Sequence, residues 1–186
     1  METTIYAMGD SITYGFPFGP NYSWVKRISD SLNINFINGG INGDTTTSMV
    51  RRLSQAISCH PSHLLLMGGV NDAYFFEPTA RVGENYVNIC SRCDENGIEV
   101  ILGQPTPVDE PKTEALLTEY RSFLTILAKR ENYHIIPFNE AFLDTKGHFI
   151  SDLTVDGCHP NLEGYKAMAE VALRSLSGIK GIIHHC

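Results

Sequence analysis

A serine, an aspartate and a histidine occur where their side chains could support nucleophilic catalysis. Ser11 ends a Gly-Asp-Ser sequence directly after the apolar residues 5–8. A strand that stops there leaves a hydroxyl at its carboxyl end, where open α/β sheets place their ligands. Far along the chain, Asp156 and His159 are three residues apart. These residue types are a nucleophile, a general base and an acid that orients the base.

The chemistry that these residues indicate is acyl transfer. A serine hydroxyl needs a base, and the imidazole of His159 suits that role because the unperturbed pKa of histidine is ~6.5. Asp156 is close enough in sequence to accept a hydrogen bond from Nδ1 of the same ring, which would fix the tautomer.

Acyl transfer also needs donors for the oxyanion that develops on the substrate. The candidates are the backbone amides of Ser11 and Gly43 and the side-chain amide of Asn71. Gly43 has no Cβ, so a substrate can approach its backbone, and it precedes a predicted helix whose first amides are unpaired. We therefore predict an oxyanion hole formed by these three residues.

Each motif on its own has a simpler explanation. The Gly-Asp-Ser sequence can be a turn, the Asp-x-x-His sequence before Pro160 can be a helix-capping loop, and Asn71 can be a turn residue. The combination is more specific, because all the motifs fall in order at predicted strand carboxyl ends.

Strands and helices alternate along the chain. Apolar runs predict five strands: 4–8, 33–37, 63–67, 98–103 and 134–138. Helical patterns lie at 23–32, 45–59, 83–96, 112–131 and 161–176. This alternation predicts an α/β fold, a three-layer α/β/α sandwich with a parallel sheet of about five strands in flavodoxin-like order. The loops 16–21 and 104–111 follow strand ends and should edge the site.

Composition narrows the class of protein. The 186 residues allow one domain, predicted as residues 1–178 followed by a tail, 179–186. A net charge of -7 argues against nucleic acid or an anionic membrane as the main partner. We see no signal peptide and no apolar run long enough to span a bilayer, so five cysteines are interpreted as reduced thiols in a cytoplasmic protein.

The four motifs together resemble the SGNH hydrolases, also called the GDSL esterase/lipase family, over essentially the whole chain. They are Gly9-Asp10-Ser11-Ile12, Asn38 to Thr45, Gly69-Val70-Asn71-Asp72 and Asp156-Gly157-Cys158-His159-Pro160-Asn161. Ile12 replaces the leucine of the family name. The resemblance implies a serine-dependent carboxylic ester hydrolase with Ser11 as nucleophile, Asp156 and His159 completing a triad, and Gly43 and Asn71 as oxyanion donors. It implies no cofactor and a small-molecule ester substrate, for which we favour short-chain acyl or acetyl esters.

Three alternative functions would each need different residues. An ordinary α/β-hydrolase elbow needs a second glycine where Thr13 stands. A non-catalytic binding module would need no paired acid and base. A metal-dependent phosphoesterase would use carboxylates, an amide and an imidazole, and its candidate ligands are Asp10, Asp44, Asn71, Asp72, Asp156 and His159.

Several other residues have a structural explanation that we prefer. Cys90 and Cys93 fall on an apolar helix face and are predicted to pack in the core rather than to perform redox chemistry. Cys158 is interpreted as a spacer within the triad loop. The tail sequence His184-His185-Cys186 is predicted to be frayed, with only adventitious metal binding. Residues 74–76, Tyr-Phe-Phe, are predicted in a surface loop that could line an acyl pocket or a homodimer contact, with core burial equally open.

Overall fold

A five-stranded parallel sheet forms the centre of the molecule. The computed structural model describes residues 3–177, and its strand order is β2-β1-β3-β4-β5. This is the predicted flavodoxin-like order. The strands are β1 (Thr4–Gly9), β2 (Asn35–Gly40), β3 (His63–Met67), β4 (Glu99–Gly103) and β5 (His134–Ile136).

The helices lie in two groups, which cover the two faces of the sheet. They are α1 (Ser11–Tyr14), α2 (Trp24–Leu32), α3 (Thr46–Ser58), α4 (Val70–Tyr74), α5 (Thr79–Glu95), α6 (Pro111–Glu131) and α7 (Leu162–Leu176). Helix α2 contacts α7, whereas α5 contacts both α3 and α6. All five residues of β3 are buried, as expected for a strand covered on both faces. The predicted three-layer α/β/α architecture is confirmed.

Strand β2 starts and ends later than predicted, because Asn33 caps the preceding helix and the two glycines at its end pair with β1. Asn33 has a left-handed backbone (φ 52°) and ends α2 instead of starting the strand. The strand then continues through Gly39 and Gly40, and Gly9 on β1 pairs with Gly40. A Cβ on Gly39 would lie 2.2 Å from the Tyr6 ring, so glycine there serves close packing within the sheet.

Helix α5 starts at Thr79, four residues before the predicted start at Gly83. Gly83 is buried inside the helix, where a Cβ would lie 2.8 Å from the Phe123 ring of α6. This glycine therefore permits close helix packing and does not mark a boundary. Strand β5 ends at Ile136, before Pro137, which cannot donate a ladder hydrogen bond.

The predicted burial of Cys90 and Cys93 is confirmed, since they are 2% and 0% exposed. Within residues 3–177, no helix combines the length and apolar character needed to cross a membrane. The predicted tail, 179–186, lies outside the described residues.

Candidate active site

Ser11 lies at the carboxyl end of β1, at the first position of the short helix α1. The preceding Asp10 caps this helix, because its Oδ1 accepts a hydrogen bond from the Ile12 amide at 2.9 Å. Asp10 is 1% exposed. Burial raises the pKa of Asp10 to about 7, although the Ile12 hydrogen bond acts in the opposite direction. The local capping interaction therefore fixes the backbone that carries the Ser11 hydroxyl.

A hydrogen-bonded relay connects Ser11, His159 and Asp156. Ser11 Oγ lies 3.1 Å from His159 Nε2, although the two residues are 148 positions apart in the chain. His159 Nδ1 lies 2.8 Å from Asp156 Oδ2. The carboxylate only accepts, so Nδ1 carries the proton and Nε2 is left to accept from the serine hydroxyl. This is the arrangement that lets an imidazole act as general base.

Asp156 lies in a tight loop that also positions the histidine backbone. Its Oδ1 accepts from the amides of His159 at 2.7 Å and Cys158 at 3.1 Å. Burial raises the pKa of Asp156, but hydrogen bonds from His159 and Cys158 outweigh burial and hold the pKa below its ordinary value. Asp156 thus remains an anion at neutral pH and can stabilise an imidazolium.

The three predicted oxyanion donors lie on segments that follow neighbouring strands. Gly43 is exposed and left-handed (φ 76°), with open space where a Cβ would stand. Asn71 lies in the first turn of α4, after β3, and its Nδ2 donates to the Asp44 carbonyl at 2.9 Å. This amide has a second hydrogen available for a ligand. Within the described residues, the backbone amides of Ser11 and Gly43 donate no hydrogen bond to the protein.

Sequence reasoning missed two residues that contact the loop of Asp156 and His159. The Phe16 ring lies 4.8 Å from the His159 ring, centroid to centroid. The Asp109 amide donates to the Gly157 carbonyl at 2.9 Å. Phe16 and Asp109 belong to the two loops that were predicted to edge the site, so the loops were foreseen and the particular contacts were not.

Arg52 was also missed. Its Nε donates to Asp44 Oδ2 at 2.6 Å and its Nη2 donates to the Gly9 carbonyl at 2.9 Å. The available signal was its position on α3, between the buried residues Met49 and Leu53. A charged residue within an apolar helix stripe requires a partner.

The environments of Cys158 and of residues 74–76 differ in burial. Cys158 is buried, and burial raises the pKa of its thiol to about 12, which keeps it protonated and agrees with a spacer role. Tyr74 was predicted in a loop but ends α4. Phe75 and Phe76 are 69% and 60% exposed, so the core-burial alternative for this segment is wrong.

The phosphoesterase alternative gains no support from the geometry. Within residues 3–177, no three His, Cys, Asp or Glu side chains are grouped so that they could hold a metal ion. Each candidate carboxylate has a protein partner instead: Asp10 the Ile12 amide, Asp44 Arg52, Asp72 Thr46, and Asp156 His159.

Comparison with known proteins identifies this α/β chain as an enzyme of the carboxylic ester hydrolase class. Residues 7–167 match the GDSL-like lipase/acylhydrolase family, and the chain belongs to that family. The family resemblance drawn from the four motifs is thereby confirmed.

Individual relatives agree with this assignment. The chain is 26% identical to an arylesterase from Vibrio mimicus over 181 residues. The aligned residues cover 92% of this chain and 87% of the relative. A crystal structure of a member of the lipolytic protein G-D-S-L family from Veillonella parvula is 26% identical, with a TM-score of 0.84 over 95% of this chain and 100% of that one. A catalytic mutant of an acetylxylan esterase from Geobacillus stearothermophilus shares the fold at 19% identity, with a TM-score of 0.84 over 100% and 99% of the two chains.

Proposed function

We propose that this protein hydrolyses short-chain acyl or acetyl esters through a Ser11–His159–Asp156 triad. The observation that carries the proposal is the relay of 3.1 Å and 2.8 Å that joins Ser11 to His159 and His159 to Asp156. It supplies a nucleophile, a base of defined tautomer and an anion that stabilises the protonated base.

In the first half of the proposed reaction, Ser11 Oγ attacks the ester carbonyl carbon and its proton passes to His159 Nε2. The carbonyl oxygen becomes an oxyanion, which the amides of Ser11 and Gly43 and the Nδ2 group of Asn71 would stabilise. The tetrahedral intermediate then collapses. The bond to the alcohol breaks, His159 returns its proton to the leaving oxygen, and an acyl-serine remains.

In the second half, water attacks the acyl-serine while His159 Nε2 takes a proton from the water. Collapse of the second intermediate releases the carboxylic acid, and His159 returns the proton to Ser11 Oγ. His159 must be neutral at the start of each half of the reaction, so we expect ester hydrolysis to slow as the pH falls and the imidazole becomes protonated. Asp156, whose pKa is lowered, would still be ionised there.

The surroundings of the relay favour a substrate with an apolar portion. Exposed apolar side chains occur on the segments that carry the candidate site residues: Tyr14, Phe16, Phe18, Ile41, Tyr74, Phe75, Phe76 and Val155. Apolar side chains on these segments suit an aryl or other apolar substituent beside a small acyl group. The arylesterase relative supports the same substrate class.

A panel of nitrophenyl esters tests this proposal. We expect kcat/KM for the acetate and butyrate to exceed that for the octanoate by roughly tenfold or more, since each unaccommodated methylene disfavours the transition state. Acetylated xylose should be included to compare a sugar ester. A clear preference for the octanoate would contradict the short-chain assignment. A serine-directed phosphonate should label Ser11, located by peptide mass spectrometry.

The proposed chemistry uses no metal. We therefore expect full activity after exhaustive treatment with a chelator, measured with nitrophenyl acetate. Loss of activity that a divalent ion restores would favour the phosphoesterase alternative instead.

A further inference from the structure

Arg52 links the segments that carry the three candidate oxyanion donors. Its side chain is 11% exposed and that of its partner Asp44 is 7% exposed. The guanidinium donates from Nη2 to the Gly9 carbonyl, two residues before Ser11, at 2.9 Å. It also donates from Nε to Asp44 Oδ2, one residue after Gly43, at 2.6 Å.

The third donor joins the same network through the backbone. Asn71 Nδ2 donates to the Asp44 carbonyl at 2.9 Å. One guanidinium therefore connects the end of β1 to the loop after β2, and that loop in turn holds the first turn of α4. We propose that Arg52 is a positioning residue that fixes the spacing of the oxyanion donors of Ser11, Gly43 and Asn71. This inference rests on the proposed function.

The chemistry of arginine explains why this residue type is required. Its planar guanidinium presents several donors in fixed directions, so one group can hold a carboxylate and a carbonyl at the same time. Lysine carries its donors on one ammonium nitrogen, so it does not present them from the two separate positions that the Nε and Nη2 groups of Arg52 occupy. The pair also matters for charge, because a buried Asp44 without Arg52 would be an unpaired anion.

Arg52 should affect the rate more than substrate affinity. Oxyanion donors act mainly on charge that develops in the transition state, and their effect depends on being held in place beforehand. Misplacement of such groups by a distant change can cost about 100-fold. We therefore expect Arg52→Met to lower kcat by roughly 10- to 100-fold with little change in KM.

A double-mutant cycle tests the route by which Arg52 acts. Kinetics with nitrophenyl acetate would be measured for Arg52→Met, Asn71→Ala and the combination. If Arg52 acts through the oxyanion donors, its substitution should cost severalfold less in the Asn71→Ala background than in the wild type. Arg51→Met is the matched control, because Arg51 is the exposed neighbour on the same helix and should leave kcat unchanged. Additive losses, or an effect confined to KM, would overturn the proposal.

A second variant guards against a folding defect, since Arg52→Met leaves Asp44 unpaired. Asp44→Asn combined with Arg52→Met removes both charges and keeps the Asp44 backbone carbonyl that accepts from Asn71. Circular dichroism and the melting temperature would establish that it folds. We expect this variant to show the same loss in kcat, because the hydrogen bond from Arg52 to the Gly9 carbonyl is still missing. Among the described residues, only the Ile41 amide then donates to that carbonyl, at 3.1 Å. Wild-type kcat in the folded variant would overturn the role of Arg52.

Phosphonate labelling separates this proposal from the one on which it rests. If wild-type Ser11 is labelled and Arg52→Met is labelled more slowly, both proposals stand. If the wild type and Arg52→Met are labelled equally fast, only the role of Arg52 is wrong. If the wild type is not labelled at Ser11, the proposed nucleophile is wrong and the positioning role falls with it.

Discussion

Two regions of this molecule each combine a serine, a histidine and an acidic residue, at opposite edges of the same sheet. At the carboxyl edge, Ser11 Oγ faces His159 Nε2 and Asp156 faces Nδ1. At the amino edge, the order around the ring is reversed. There Ser62 Oγ lies 2.9 Å from His63 Nδ1, and Glu99 Oε2 lies 3.4 Å from His63 Nε2.

The two regions differ in which group accepts the hydrogen bond of the serine hydroxyl. Ser62 Oγ donates to the Thr4 carbonyl at 2.8 Å and accepts from the Thr4 amide at 3.0 Å. A hydroxyl has one proton, so His63 Nδ1 must donate to Ser62 and cannot act as its base. Ser11 Oγ, by contrast, has His159 Nε2 as its side-chain partner. Residue types in proximity are therefore insufficient for catalysis, and the direction of each hydrogen bond decides the role.

The largest difference between the two regions should appear when each serine is removed. We expect Ser11→Ala to lower kcat by about 10⁴- to 10⁶-fold while the melting temperature is kept, because the nucleophile is lost. Ser62→Ala should keep kcat and lower the melting temperature, because it loses its bonds to Thr4. The measurements are ester hydrolysis and thermal unfolding of both variants. An active Ser11→Ala protein would remove Ser11 from the proposed mechanism.

Substitution of the acidic residues Asp156 and Glu99 should change kcat to almost as different an extent. We expect Asp156→Asn to lower kcat by up to ~10⁴-fold, since the amide no longer fixes the tautomer or stabilises the imidazolium. Glu99→Gln is the matched change at the amino edge, where the Glu99 side chain is 75% exposed, and it should leave kcat unchanged. Near-wild-type activity in Asp156→Asn would mean that another group orients His159.

A smaller effect on kcat is expected from substitution of the predicted oxyanion donors, which have no counterpart beside Ser62. Asn71→Ala should lower kcat by about 10²- to 10³-fold with little change in KM, because its donor acts on transition-state charge. Asn88→Ala, at an exposed position of α5, is the control and should keep wild-type kinetics. A change confined to KM would make Asn71 a substrate-binding residue.

The smallest effect concerns stability at the amino edge. Burial lowers the pKa of His63, and the nearby Glu99 offsets this only in part. In the unfolded chain the pKa is about 6.5, so below that pH the unfolded state binds more protons. The stability that neutral His63 contributes is therefore fully present above that pH and is lost as the pH falls toward the lower pKa of the folded state.

This linkage can be measured as the fall in melting temperature between pH 7.5 and pH 5.5. We expect a smaller fall in His63→Gln than in the wild type. His148→Gln is the control, because the His148 side chain is 74% exposed and pairs with Asp144 at the surface. An equal fall in the wild type and His63→Gln would show that His63 does not contribute to the pH dependence.

Much of the fold and site followed from local patterns. The alternation of apolar strands and periodic helices predicted the layers of the fold, because each pattern reflects which side of an element is buried. The strand order followed from the flavodoxin-like topology that is common for such an alternation. Ser11, Gly43, Asn71, Asp156 and His159 were selected by the short motifs around them. Two of the errors arose where a glycine had a long-range cause, at Gly83 beside Phe123 and at Gly39 beside Tyr6.

The sequence by itself determined the five strands, the five longer helices, their order along the chain and a set of candidate site residues, since capping, periodicity and turn preference act over a few positions. The tertiary structure alone decided that Ser11 meets His159 across 148 positions. It also decided that Ser62, although adjacent to His63 in the chain, donates its hydrogen bond to the carbonyl of Thr4 on the neighbouring strand. The physical reason is that the catalytic or structural role of a hydroxyl depends on which group accepts its hydrogen bond. That partner is fixed only when distant segments pack together.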